Sequence, residues 1–228
     1  MAVARKAIVK MPVEAQATEA LRQDIVSGAL KAGERLTEMK LAADLGLSRA
    51  TIRTALHQLA KEGLIVQTPY TGWAVVSLTA QSAWELYTLR SALEGLAARL
   101  ANEAMNAAGR KTLASAFSRL TDACGRGDAD AIADADFSLH KTIISLAGHS
   151  RLELQYRIVE QQVKMYIRCS DELVPHPAEI VEQHRSIVDS ILSGTPDEAA
   201  RASENHNLQE GRILVGRIEQ SVDFPQAV

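Results

Sequence analysis

Residues 30–73, LKAGERLTEMKLAADLGLSRATIRTALHQLAKEGLIVQTPYTGW, place a short helix, a turn, a second helix and a β-hairpin in one unbroken run. Thr37 ahead of Glu38, Met39, Leu41, Ala42 and Leu45 predicts an N-cap and two helical turns, and Gly46 supplies the left-handed residue that ends them. Ser48 caps the next helix, whose buried stripe is Ile52, Leu56 and Leu59, and Gly63 closes it. Leu64–Gln67 and Trp73–Ser77 alternate as strands, with Pro69-Tyr70-Thr71-Gly72 turning between them. The expected unit is a winged helix-turn-helix.

Arg49, Thr51 and Arg53 lie near the start of the second helix and off its apolar stripe, where arginines reach base edges or phosphates and the helix N-terminus itself attracts phosphate. The bland alternative, that Arg49, Arg53 and Lys40 only solvate a surface, leaves their coincidence with a complete helix-turn-helix unexplained. The charge distribution agrees. The chain carries a formal net charge of -3, but residues 1–78 hold 10 Lys and Arg against 7 Asp and Glu, while residues 79–228 hold 15 against 21. The basic part is the part expected to meet DNA.

The run GALKAGERLTEMKLAADLGLSRATIRTALHQLAKEGLIVQTPYTGWAVV resembles the DNA-binding domain of GntR-type bacterial transcription regulators. The resemblance implies phosphate and base contacts from Lys40, Ser48, Arg49, Thr51 and Arg53, and a wing tip at Gly72 that enters the minor groove. Two positions depart from the family pattern and bear on the operator sequence. Ala50-Thr51 replaces the usual Thr-Pro, and Thr54 stands where a glutamate commonly follows the second arginine.

After Leu78 the chain becomes rich in Ala and Leu at helical spacing. Leu86, Leu89, Leu93, Leu96 and Leu100 step by three and four, predicting a long amphipathic helix begun near Thr79. Further helices are expected at about 107–125, 128–147, 150–171, 177–193 and 196–219, separated by glycines and prolines. The expected division is therefore 1–78 for DNA binding and 79–228 for an antiparallel all-α bundle of about six helices, in a mostly α protein.

Histidines interrupt three of the stripes that should be apolar. Asp136 and His140 share a face with Ile132, Ile143, Ile144 and Ala147; His184 aligns with Ile180, Ile187, Val188 and Ile191; His206 aligns with Ala199, Ala202 and Ile213. One buried imidazole needs only a hydrogen bond or two, but a carboxylate and three imidazoles on facing helices make a ligand set for a divalent transition metal. Zinc is the first expectation, and nickel, manganese or cobalt suit the same donors. Residues 79–219 resemble the FadR C-terminal (FCD) branch of the GntR regulators, in which an Asp-x-x-x-His helix is followed by two helices with one histidine each. His149 departs from the Asn usual after Ala-Gly in that branch. His57, His149 and His176 are expected at the surface.

A metal with open positions inside an apolar bundle can be completed by a small organic acid, with Arg90 as a second, bidentate partner beside Leu86 and Leu93. An intrahelical pair with Glu94 is an equally good reading of Arg90. One small basic module binds DNA weakly, so a homodimer on a palindromic double-stranded operator is expected. A metal-dependent hydrolase with an accessory helix-turn-helix would need a general base, for which Glu94 or Glu182 could serve; no nucleophile motif, HExxH or glycine-rich phosphate loop accompanies them. A structural nucleoid protein without ligand is disfavoured by charged groups at interior positions. Cys124 and Cys169 lie far apart and outside any CxxC, so no disulfide framework is expected. No stretch nears the roughly 20 apolar residues of a membrane span, and MAVARKAIVK lacks the apolar core of a secretory signal, which together imply a cytoplasmic protein.

Overall fold

The computed structural model describes residues 11–68 and 72–220. The chain divides into two compact units, Met1–Val76 and Ser77–Val228.

In the first unit α1 (Val13–Val26) precedes β1 (Arg35–Leu36), α2 (Glu38–Leu45), α3 (Arg49–Lys61), β2 (Ile65–Thr68) and β3 (Gly72–Val75). The caps stand where the sequence puts them: Thr37 Oγ1 accepts the Lys40 N–H, Ser48 Oγ accepts that of Thr51, and Gly46 is left-handed with φ 66°. β3 runs antiparallel between its two neighbours, with Leu36 opposite Trp73 and Ile65 opposite Val75. The hairpin is therefore shifted by about a residue from expectation and gains a third strand. α1 was not foreseen either. It buries Ala17, Leu21 and Ile25, spaced four apart, against α3, which in turn buries Ile52, Leu56 and Leu59. The expected turn at Pro69-Tyr70-Thr71 lies outside the described residues, while Gly72, with φ 95°, opens β3.

The second unit is six helices: α4 (Ala80–Glu103), α5 (Ala107–Arg126), α6 (Ala129–Leu146), α7 (Ser150–Asp171), α8 (Pro177–Ser193) and α9 (Pro196–Gln220). A reciprocal Thr79–Ser82 capping box starts α4, Asn106 and Asp128 cap α5 and α6, and prolines open α8 and α9. His149, exposed as expected, also caps α7 by accepting the Leu152 N–H on Nδ1.

The leucine stripe of α4 meets its core face only in part, through buried Leu86. Leu89 and Leu96 are exposed, whereas Ala83, Tyr87, Arg90, Ser91, Glu94, Gly95, Ala98 and Ala101 are buried. Small residues on that face let helices approach closely. A Cβ on Gly211 of α9 would fall 2.7 Å from Tyr87 Cβ, and one on Gly95 would fall 2.6 Å from Glu204 Cγ. Ile213 likewise turns out to be exposed, and the buried face of α9 runs through Ala199, Ser203, His206, Asn207, Glu210 and Leu214.

Candidate metal centre and nucleic-acid interface

The start of α3 presents Arg49, Arg53 and Ser48 to solvent, together with Lys40 of α2 and Gly72 of β3; Thr51 is half-buried. Ser48 and Thr51 are occupied with each other, their hydroxyls 3.0 Å apart. Arg53 is held in a fork by Glu38 of α2, with Nε donating to Oε1 at 2.8 Å and Nη2 to Oε2 at 2.7 Å. Arg49 Nη2 stands 3.7 Å from the same carboxylate. Arg53, then burial working the other way, and Arg49 leave Glu38 below the ordinary carboxylate range. The carboxylate that fixes Arg53 is legible only once α2 and α3 are folded together, because 15 residues separate the two.

Asp136 and His140 on α6, His184 on α8 and His206 on α9 converge in the interior. His140 and His184 place their Nε2 atoms 3.1 Å apart, Asp136 Oδ1 lies 3.2 Å from His140 Nε2, and Asp136 Oδ2 lies 3.2 Å from His184 Nε2. The ring centroids of His206 are 5.3 Å from His140 and 4.4 Å from His184. One nitrogen from each histidine falls within 4.8 Å of the others. Donors around a cation with bonds of about 2.0–2.2 Å stand roughly 3.0–3.5 Å apart, the separation seen among Asp136, His140 and His184.

The far side of each ring is also arranged. His184 Nδ1 lies 2.7 Å from the Ile180 carbonyl oxygen, which can only accept, so Nδ1 carries the hydrogen and the Nε2 lone pair turns inward. His140 Nδ1 lies 2.7 Å from Glu94 Oε2, an ion-pair distance outside hydrogen-bond geometry. The inward lone pair of His184 and the Asp136 carboxylate then meet beside His140, and Asp136 Oδ1 is buried with no hydrogen-bond donor. That concentration of acceptors calls for a cation. Without metal a proton serves: burial opposes charging of His140, but Glu94 and Asp136 outweigh it and raise its pKa to about 9. His206, pushed well down by burial and by His184 and His140, is neutral and able to ligate.

Glu94 is the hub of this interior. It accepts from Arg90 Nε at 2.9 Å, from Tyr156 Oη at 3.2 Å and from Asn207 Nδ2 at 2.9 Å, besides facing His140. Arg90, almost fully buried, thus makes the intrahelical pair, with its guanidinium 5.0 Å above the Tyr87 ring. Sequence reasoning missed Asn207, Tyr156, Asp171 and Glu210. Glu210 follows His206 by four residues on one buried face and could have been found by spacing; Asp171, at the end of α7, carries no such signal. Burial first, then Asp136 and Glu210, pushes the Asp171 carboxyl up to about 10.

A cavity of about 330 Å³ opens between α8 and α9 and reaches His206 and Glu210. Cys124 and Cys169 are free thiols. No helix among the described residues is long and apolar enough to cross a membrane.

Comparison with known proteins matches residues 14–75 to the model of bacterial regulatory proteins of the gntR family, and residues 85–209, over half the chain, to that of the FCD domain. A Paenarthrobacter nicotinovorans protein named "Probable D-xylose utilization operon transcriptional repressor" is 28% identical over 201 residues, covering 88% of each chain. The gluconate operon transcriptional repressor of Bacillus subtilis (strain 168) is 29% identical over 150 residues, covering 66% of this chain and 61% of its own. Among solved structures, E. coli McbR/YncC shares the fold with a TM-score of 0.75 at 21% identity, over 91% of this chain and 99% of the other. These relatives and families are transcription regulators rather than enzymes. With its winged helix, its six-helix bundle and matches in both units, the chain belongs to the FCD branch of the GntR family and is a DNA-binding transcription regulator.

Proposed function

We propose that this regulator is a metal-dependent, ligand-responsive repressor that binds a palindromic operator as a homodimer. The observation that carries the reading is the buried meeting of Asp136, His140 and His184, where the outer nitrogen of His184 is held by the Ile180 carbonyl and that of His140 faces Glu94 at 2.7 Å. Asp136, His140, His184 and His206 hold one divalent ion per subunit, zinc being favoured by an imidazole-rich set. When bound, the ion offers open coordination positions to the oxygen of a small carboxylate. Arg90 is the second partner, and an acid that reaches it competes with Glu94 and so loosens the support of His140. Relatives named for D-xylose utilization and gluconate operons agree with control by a small metabolite. The homodimer is supported by apolar side chains left uncovered on neighbouring helices, Leu89 and Leu96 on α4 and Leu154 and Ile158 on α7.

Metal content by mass spectrometry on purified protein tests the centre. About one equivalent of divalent ion per chain is expected, lost in a His184→Ala/His206→Ala double variant; stoichiometric metal in that variant overturns the assignment. Replacing Arg49 or Arg53 with Ala is expected to weaken operator binding about ten- to a hundredfold in a gel-shift assay at fixed salt. Unchanged binding by both variants removes α3 as the reading helix. Acid and operator must alter each other's affinity by one common factor, so calorimetry with and without operator DNA tests the coupling.

A further inference from the structure

The two arginines at the start of α3 are held differently. Glu38 accepts from Arg53 Nε at 2.8 Å and from Nη2 at 2.7 Å, which occupies one edge of a planar group with five N–H donors. Arg53 Nη1 meets no partner among the described residues. A parallel pair of N–H groups, one on Nη1 and one on Nη2, therefore stays open along the outer end of an exposed side chain. The carboxylate that holds it is itself supported. Glu38 opens α2 directly after the Thr37 cap, and Trp73 of β3 helps to keep it ionised. Trp73 is buried and packs edge-on against His57 of α3, with ring centroids 5.0 Å apart. Arg49 has no such fork: its Nη2 stands 3.7 Å from Glu38, beyond hydrogen-bond reach.

Two adjacent acceptors fit the open edge of Arg53, either N7 and O6 of guanine in the major groove or two oxygens of a phosphate. Charge decides between them. With Glu38 on its other edge Arg53 belongs to a pair of no net charge, and a phosphate would meet the carboxylate as well as the guanidinium. A guanine edge is neutral and needs only two N–H groups held in place. Adenine would set its N6 amino group, a donor, against one of them. We infer that Arg53 reads a guanine through its outer edge and that Glu38 is the residue that positions it, leaving Arg49 to phosphate. Water leaves the fork when DNA covers it, so the pair tightens in the complex. The inference rests on α3 being the reading helix.

Duplexes selected from a randomised library by the full-length wild-type protein supply the operator, and each guanine of the selected half-site is then replaced by adenine in competition gel shifts. One such replacement is expected to weaken wild-type binding about ten- to a hundredfold. In Glu38→Gln, Arg53→Ala and Arg53→Lys the same replacement is expected to cost less than about threefold, whereas Arg49→Ala, weaker overall, keeps the full penalty. Glu38→Gln should bind a duplex lacking the selected site as well as wild type or better, with a steeper salt dependence, because Arg53 is then free for phosphate. Loss of binding to both duplexes by Glu38→Gln hands the decision to Arg53→Lys, which leaves Glu38 in place. An undiminished guanine penalty in Arg53→Lys, or in Glu38→Gln that still binds both duplexes, overturns the inference. So does a penalty that disappears in Arg49→Ala. Operator affinity unchanged in both Arg49→Ala and Arg53→Ala instead removes α3 as the reading helix.

Discussion

Charged groups are arranged in opposite ways in the two units. In the DNA-binding unit Arg53 and Glu38 form a fork at the surface, with the arginine side chain 53% exposed, whereas in the helical unit Arg90 and Glu94 form a similar pair at 1% and 2%. Water can replace either member of the first pair, so Glu38 can release Arg53 at little cost. Neither member of the second can be released unless something else takes its place. The surface pair can therefore open and close in water, while the interior pair ties folding to both of its members.

The largest difference follows from removing one arginine in each unit. Arg90→Ala leaves Glu94 buried beside Asn207 and Tyr156, and is expected to cost about 3–5 kcal/mol in urea unfolding of the helical unit. Arg53→Ala is expected to leave unfolding unchanged while weakening DNA binding. Equal effects of the two on stability would erase the contrast.

A pH titration sharpens it. In metal-free protein His140 has its pKa raised to about 9, above the ordinary value near 6.5, so its contribution to stability is complete below about pH 6.5 and disappears as pH rises through 9. Thermal unfolding of chelated protein is expected to show the helical unit weakening between pH 7 and 10. Bound metal replaces that proton and should reduce the decline, Asp171 contributing the remainder, and a decline just as large in zinc-loaded protein would mean that His140 is not a ligand.

How much of this was legible in sequence depended on the same contrast. Caps and breakers such as Thr37, Gly46, Ser48 and Pro177 act locally, so helix boundaries were readable to within a residue or two. Asp136, His140 and His184 were readable because each breaks a stripe of isoleucine or valine. The face of α4 was not. Its buried side is made largely of alanines, glycine, Tyr87, Arg90 and Glu94, with Leu86 alone of the leucine stripe buried and Leu89 and Leu96 exposed, so hydropathy alone points off the core face. Tyr156 and Asp171 join the site from α7, and Asn207, beside His206 on α9, reaches Glu94 on α4, through contacts far apart in the chain that no spacing on one helix reveals.

Close packing of α4 on α9 predicts a smaller effect. Alanine at Gly211 would drive its methyl against Tyr87 Cβ and Cγ, which are buried and cannot withdraw, and is expected to cost about 1–3 kcal/mol. Alanine at Gly95 meets the flexible Glu204 side chain instead and should cost less. If Gly95→Ala proves the more damaging in urea unfolding, the tight contact between the helices lies nearer Glu204 than Tyr87.

The smallest effect expected is at the half-buried pair joining α1 to α3, where Arg22 donates from Nε to Glu62 Oε2 at 2.8 Å and from Nη2 to Oε1 at 2.9 Å. Its side chains are 16% and 18% exposed, between the surface fork and the interior pair, so Glu62→Gln is expected to cost about 1 kcal/mol or less. Burial raises the Glu62 pKa, but Arg22 and Gln58 outweigh it and leave it lowered. A lowered carboxylate contributes stability above its unfolded pKa of about 4.5 and loses it as pH falls through the folded value. The wild-type DNA-binding unit should thus weaken in acid and hold steady between pH 7 and 10, where the metal-free helical unit declines. Wild type and Glu62→Gln should converge in stability as pH drops below about 4. A difference that instead persists undiminished in acid would place the effect of Glu62 in packing rather than in its charge.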